Sequence, residues 1–222
     1  MVAIYHLMSQ LRCIRISKRN TRKLENKMTF EDAIHKASII LPEHKEEFIR
    51  YLNKFPDGIE KWLYSPSLIS SDSLYQGDSL INLPTCFIDD DGDTIQGEDF
   101  VVLVSNTCDM QPGRKEFIIV SPIVFLDDYK EHLNQFSEKT DQVLQDIRKN
   151  RIFSFFYLPP RNILPESFID FSKMISISNG YINNVKRNMS HKCLLSLSPH
   201  GFYLFLIKLT FHLARMETLT SE

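Results

Sequence analysis

The sequence predicts an α+β fold: a small β-barrel with an N-terminal helical cap, an inserted helix and a C-terminal helix. Three observations lead there. "YQGDSLINLP", "DFVVLVSNTCDM" and "KEFIIVSPIVFL" set three strand-like apolar runs close together between Tyr75 and Leu126, the spacing a small antiparallel barrel needs. Helical periodicity flanks them at residues 29–64, 127–150 and 198–216. Hydrophobic residues make up 43% of 222, with only seven glycines, so the chain can bury a sizeable core and is not a low-complexity or disordered protein.

Residues 1–27 form a basic extension, with Arg12, Arg15, Lys18, Arg19, Arg22, Lys23 and Lys27 against the single acid Glu25. Charge runs of this kind usually face water, so a disordered extension is expected ahead of a nucleic-acid-binding arm. Met28 is a candidate natural start. Residues 28–70 read as a helical cap. Thr29 caps a first helix whose apolar face is Phe30, Ile34, Ala37 and Leu41. Pro42 opens a second, with Glu43, Glu46 and Glu47 near its positive dipole end and Phe48, Tyr51, Leu52 and Phe55 on one face. A short third helix, Gly58 to Tyr64, is expected to bury Trp62, and "SPSLISSDS" links it to a barrel domain over residues 71–222.

In that domain Leu74 to Leu83 is the expected first strand, closed by Pro84, and "IDDDGDTIQGED" the loop after it. Val101 to Val104 is continuously aliphatic, as in a strand buried on both faces, and "MQPGRK" joins it as a hairpin to Phe117–Val120. Asp127 to Asn150 reads as one inserted helix. Strand character returns at "RIFSFFYLP", "ESFIDFSKMISIS" and "KCLLSLS", before a last helix that Ser198 caps and Pro199 opens.

A net charge of −2 excludes nucleic-acid binding through bulk positive charge, so any contact with RNA or DNA must be local. The four cysteines, Cys13, Cys86, Cys108 and Cys193, form no CxxC pair, which disfavours a zinc ribbon and fits reduced thiols. No signal-peptide core is read near the N-terminus, and the run Phe202–Ala214 is too short to span a bilayer and carries Lys208 and His212. The expectation is a cytoplasmic protein with no membrane partner.

Several chemistries can be tested on spacing. Asp89, Asp91 and Asp93 alternate like the first ligands of a calcium loop, but Thr94 stands where the glycine is needed and Phe100 where the closing glutamate is needed. A turn at Asp91-Gly92 is the better reading. His191, His200 and His212 are too far apart to share a helical face and are read as surface or core histidines. The stronger candidates lie at strand ends. Asp78, Asp109 and Cys108 are the candidate catalytic groups, and Gln76, Ser105 and Asn106 the candidate substrate-binding groups. Asp78 and Asp109 could converge at one barrel rim to bind a divalent metal or act as acid and base; otherwise they cap their loops. Cys108, after a buried strand, is expected to be a packed, inert thiol rather than a nucleophile. No cofactor is expected beyond such a metal, whose identity is not assigned.

The succession "QGDSLINLP", "VVLVSN", "FIIVSPIV" resembles the MazF/PemK family of toxin endoribonucleases. In that family an SH3-like barrel begins with a Gly-Asp strand and continues through a "VVLSN" strand and a "VVVAPIT" strand. The likeness is close over residues 76–124 and extends weakly, through "ESFIDFSKMISIS" and the terminal helix, over most of 72–215. It implies an SH3-like barrel of a bacterial toxin-antitoxin or phage-defence type system that binds or acts on nucleic acid. The family's catalytic groups, however, are replaced. Asp99-Phe100 stands where an Arg-Pro precedes the "VVLSN" strand, and Val124 where a threonine follows "API". Neither can supply a cation to a developing phosphorane, so the family's cleavage mechanism should fail. The added helices at 29–64 and 127–150 are candidates to cover the groove where the family holds RNA or its antitoxin. Two other readings remain: a non-catalytic module holding a partner protein or a second copy of itself, and a divalent-metal enzyme using Asp78 and Asp109.

Overall fold

The computed structural model describes residues 35, 42–66, 73–135, 138–161, 164–187 and 193–214. The first predicted helix, the basic extension, Cys13 and His191 lie outside these residues. The fold is α+β. In chain order the described elements are α1 (Pro42–Leu52), α2 (Glu60–Leu63), β1 (Ser79–Ile88), β2 (Thr94–Leu103), β3 (Phe117–Phe125), α3 (Leu126–Asn134), α4 (Thr140–Arg148), β4 (Phe155–Leu158), β5 (Ser167–Asp170), β6 (Ile175–Ser178), α5 (Asn179–Arg187), β7 (Cys193–Leu195) and α6 (Pro199–Ala214). No helix among the described residues is long and apolar enough to cross a membrane.

The strands pair antiparallel in the order β4-β5-β3-β2-β1-β7, and β6 also pairs with β3. β5 and β6 form one interrupted partner for β3: Ile123–Phe125 pair with β5, and Phe117–Val120 with β6. The break falls beside Ser121-Pro122 and is filled by a turn of 3₁₀ helix, Phe171–Lys173. Proline brings no N–H to a ladder, while the Ser121 hydroxyl donates to the Asp170 carbonyl at 2.8 Å.

β2 separates two apolar cores. Val102 and Val104 belong to the larger one, which packs α1, α2, α3, α4 and α6 against β3, β4 and β5. Val101 and Leu103 belong to the smaller one, with Leu80 and Leu83 of β1, Ile118 and Val120 of β3, Met110 and Ile182. This alternation is why all four residues are apolar, as the continuous run predicted. β1, β2, β3 and β6 therefore curve around the smaller core. β1 and β6 touch, but no ladder joins them among the described residues, and the sheet stays open there.

Several boundaries differ from the sequence expectation. The first strand is Ser79–Ile88, not Leu74–Leu83, and Pro84 sits inside it opposite Glu98. Beyond Leu80 the outer side of β1 has no partner among its pairings, so a residue lacking an N–H is tolerated. Most of "IDDDGDTIQGED" is strand. The turn itself is confined to Asp89–Asp93, where Asp89 Oδ1 accepts the amides of Asp91 at 3.0 Å and Asp93 at 2.8 Å, and Gly92 takes φ +85°. "MQPGRK" is part of a longer loop from Val104 to Glu116 rather than a tight hairpin. The inserted helix is two helices, α3 and α4. α2 is shorter than expected; Leu63 within it and Ile59 just before it are fully buried, while Trp62 is half-buried.

The helical cap packs on the C-terminal helix. Ser198 donates its amide to the Leu63 carbonyl and its hydroxyl to that of Trp62, while its oxygen also caps the Gly201 amide. A Cβ on Gly201 would lie 2.1 Å from the Leu63 carbonyl oxygen, so only glycine permits this crossing.

Candidate functional site

The segment Ser73–Asp78, which carries Gln76 and Asp78, meets the start of the loop Val104–Glu116, which carries Ser105, Asn106, Cys108 and Asp109. Gly77 turns the first segment with φ +91°, its amide donating to Leu103 at 2.8 Å, while the Leu103 amide donates to Asp78 at 2.8 Å. Gln76 then reaches across. Its Nε2 donates to the Val104 carbonyl at 2.7 Å and its amide to the Thr107 hydroxyl at 3.0 Å.

Most of these polar side chains are committed to backbone. The buried Asp78 carboxylate accepts the Tyr75 amide at 2.9 Å, the loop-capping role. Ser105 Oγ accepts the Ile119 amide at 2.7 Å, and Asn106 Oδ1 the Cys108 amide at 2.9 Å. Asp109 is half-buried and engages the loop through its own amide, which donates to the Asn106 carbonyl at 3.0 Å. The Cys108 thiol corrects the sequence reading: it is exposed, not packed, because the chain leaves β2 at Leu103 and turns outward through residues 107–110. Among the described residues no group of three or more His, Cys, Asp or Glu side chains is placed to share a metal ion.

Asn179, at the start of α5, organises the loop and was not foreseen. Buried, it directs Nδ2 at the carbonyls of Lys115 (3.0 Å), Asp109 (3.4 Å) and Gln111 (3.4 Å), and its amide donates to Glu116 at 2.9 Å. "SNG" in the sequence reads only as a turn; the carbonyls it serves are more than sixty residues away in the chain.

The positions that depart from the MazF/PemK pattern are both inside the protein. Asp99 is buried and accepts the Thr85 hydroxyl, Phe100 packs edge-on against Phe125 at 5.1 Å, and Val124 is buried opposite Phe168.

A second polar cluster lies between α4, β4, β5 and α6. Arg148 donates Nε and Nη2 to the two oxygens of Glu166 at 2.7 and 2.8 Å, and the Tyr157 hydroxyl donates to Glu166 at 2.6 Å. The hydrogen bonds from Arg148 hold the Glu166 carboxyl below its ordinary range, and burial pushes the Tyr157 phenol up. Asn150 accepts the Tyr157 amide through Oδ1 at 2.9 Å and, with its carbonyl, two bonds from Lys208, which is fully buried and whose ammonium is disfavoured by that burial. A lone lysine in the apolar run Phe202–Ala214 was the one sequence signal for this network. His200 lies among the rings of Phe48, Tyr51 and Trp62, and His212 lies 5.9 Å from Phe171; both are half-buried, between the surface and core positions expected.

No protein-family model matches the chain, and no curated protein matches it.

Proposed function

We propose that this chain is a divergent MazF/PemK-like, SH3-like barrel protein of a bacterial toxin-antitoxin or phage-defence type system, which binds nucleic acid at the Val104–Glu116 rim and does not cleave it by the family's mechanism. One observation carries the reading. The three segments of the resemblance are consecutive antiparallel strands that curve, with β6, around their own small core. The loop between the second and third exposes Asn106, Cys108, Arg114 and Lys115, polar and cationic groups suited to phosphate and base edges. Binding without cleavage is supported by the burial of Asp99 and Val124, because no cation reaches a scissile phosphate from either position.

Fluorescence anisotropy of the full chain with a labelled single-stranded RNA tests this. Binding that weakens steadily with salt, and RNA that stays intact with EDTA present, is the expected result. No binding at low salt disposes of the proposal.

A second reading, a module that holds a partner protein, is favoured by exposed apolar residues beside the same loop, Phe117, Ile119 and Tyr181.

A further inference from the structure

We propose that this chain self-associates head to tail, the acidic β1–β2 arm of one copy docking on the basic, apolar β3–β6–α5 face of the next. This goes beyond the nucleic-acid reading, with which it shares Arg114 and Lys115, and concerns two surfaces that are exposed among the described residues.

The arm is a two-stranded ribbon. β1 pairs with β7 only at Ser79 and Leu80, and β2 with β3 only from Val101 to Leu103, whereas β1 and β2 remain paired with each other out to Ile88 and Thr94. Residues 84–98 therefore continue beyond the pairing of the main sheet with both outer edges unpaired in these ladders. Between Trp62 and Gly113 the sequence has no Lys, Arg or His, while Asp89, Asp90, Asp91, Asp93 and Glu98 all lie on this arm. Ile88, next to the turn, is 75% exposed. A single exposed isoleucine is ordinary on a protein surface; here it sits at the end of a ribbon whose outer edges have no partner in these ladders, the kind of edge that pairs with another chain.

The receiving face has the complementary character. Phe117 is 56% exposed, Ile119 44% and Tyr181 39%. They belong together: Phe117 pairs with Ser178 and Ile119 with Ser176, placing the alternate residues of β3 and β6 on one side of the sheet. The Ser178 hydroxyl accepts the Tyr181 amide at 3.3 Å, which brings the first turn of α5 to that side. Arg114 and Lys115, both exposed, stand just before Phe117 and outnumber the exposed Glu116 that separates them from it. From Phe171 to Met216 the sequence carries no Asp or Glu, so β6 and α5 add no acid of their own. One copy thus carries a negative projection tipped by an aliphatic residue and a positive surface centred on aromatic and aliphatic residues. Opposite charge around apolar contact is the pattern that orients two proteins and sets register. Because the two surfaces differ, the contact is heterologous and can extend beyond a dimer.

Sedimentation velocity on the full chain reads the outcome directly, and a charge swap decides it. Wild type is expected to associate as concentration rises across about a hundredfold range and to dissociate with salt. The pair Asp91→Lys/Asp93→Lys, which leaves the Asp89 turn contacts in place, and the pair Arg114→Glu/Lys115→Glu should each give a monomer. Mixed in equal amounts, the two variants should associate in alternating order, since the reversed arm of the first fits the reversed face of the second and the unchanged arm of the second fits the unchanged face of the first. Circular dichroism confirms that both remain folded; should either not, Phe117→Ser/Tyr181→Ser provides an independent break of the same contact. Wild type that stays monomeric at every concentration overturns the proposal. So does association that survives every one of these variants, or two folded monomeric variants that do not associate on mixing. Loss of RNA binding in Arg114→Glu/Lys115→Glu with self-association unchanged would also overturn it, assigning the face to polynucleotide while leaving the proposed function intact.

Discussion

Asn179 shows how one buried amide can stand in for a missing ladder. The loop Val104–Glu116 leaves the sheet, so its carbonyls lose strand partners, and an unsatisfied buried carbonyl costs on the order of 1–3 kcal/mol. Asn179 Nδ2 meets three of them, and its own Oδ1 and carbonyl accept from Asn183 at 2.9 Å each. Asn179→Ala should therefore lower stability by about 2 kcal/mol and speed amide exchange selectively in the loop, measured by urea titration and hydrogen exchange. Uniform exchange with no local change would show that the loop holds itself. At this scale the sequence was informative about type but not direction. Gln76, Asp78, Ser105 and Asn106 were picked out as polar residues at strand ends; they lie on two segments that meet, but the bonds they make are largely to backbone. A sequence cannot say which way a carboxylate points, because that depends on a turn whose φ values are set by residues such as Gly77.

The crossing of α2 over α6 rests on one residue without a side chain. With Leu63 carbonyl atoms where a Gly201 Cβ would be, the backbone must move, and Gly201→Ala should cost on the order of 3 kcal/mol. Gly180, in the first turn of α5, is the control. A Cβ there would meet only the Ser178 hydroxyl at 3.6 Å, so Gly180→Ala should be neutral or gain about 0.5 kcal/mol from helix propensity. Thermal melts of the two variants check both signs, and equal losses would refute the argument. Elements were legible where one periodicity persisted. α1 and α6 follow from their apolar faces and prolines, and α6 begins at Pro199 behind its Ser198 cap as expected. β1 and β2 were misjudged because Pro84 and the aspartates look like breakers. In a ribbon with no further ladder on its outer side among the described residues, neither interrupts the pairing.

Across the whole molecule, β2 and β3 contribute to both cores, which should couple them into one cooperative unit. Leu103→Ala in the smaller core and Leu204→Ala in the larger should each cost about 2–5 kcal/mol and shift one shared transition. Two separate transitions, by fluorescence and far-ultraviolet circular dichroism, would show the cores unfold independently. The sequence by itself determined the α+β class, the consecutive strand runs, the core-facing valines of β2 and the separation of acidic from basic stretches, because these depend on composition and on periods of two and 3.6 residues. Tertiary structure alone decided that Cys108 faces solvent, that Asn179 serves a distant loop, that Lys208 is buried on Asn150 and that Phe117, Ile119 and Tyr181 share a face. Those outcomes follow from which segments come together, and a contact between residues far apart in the chain leaves no local pattern to read.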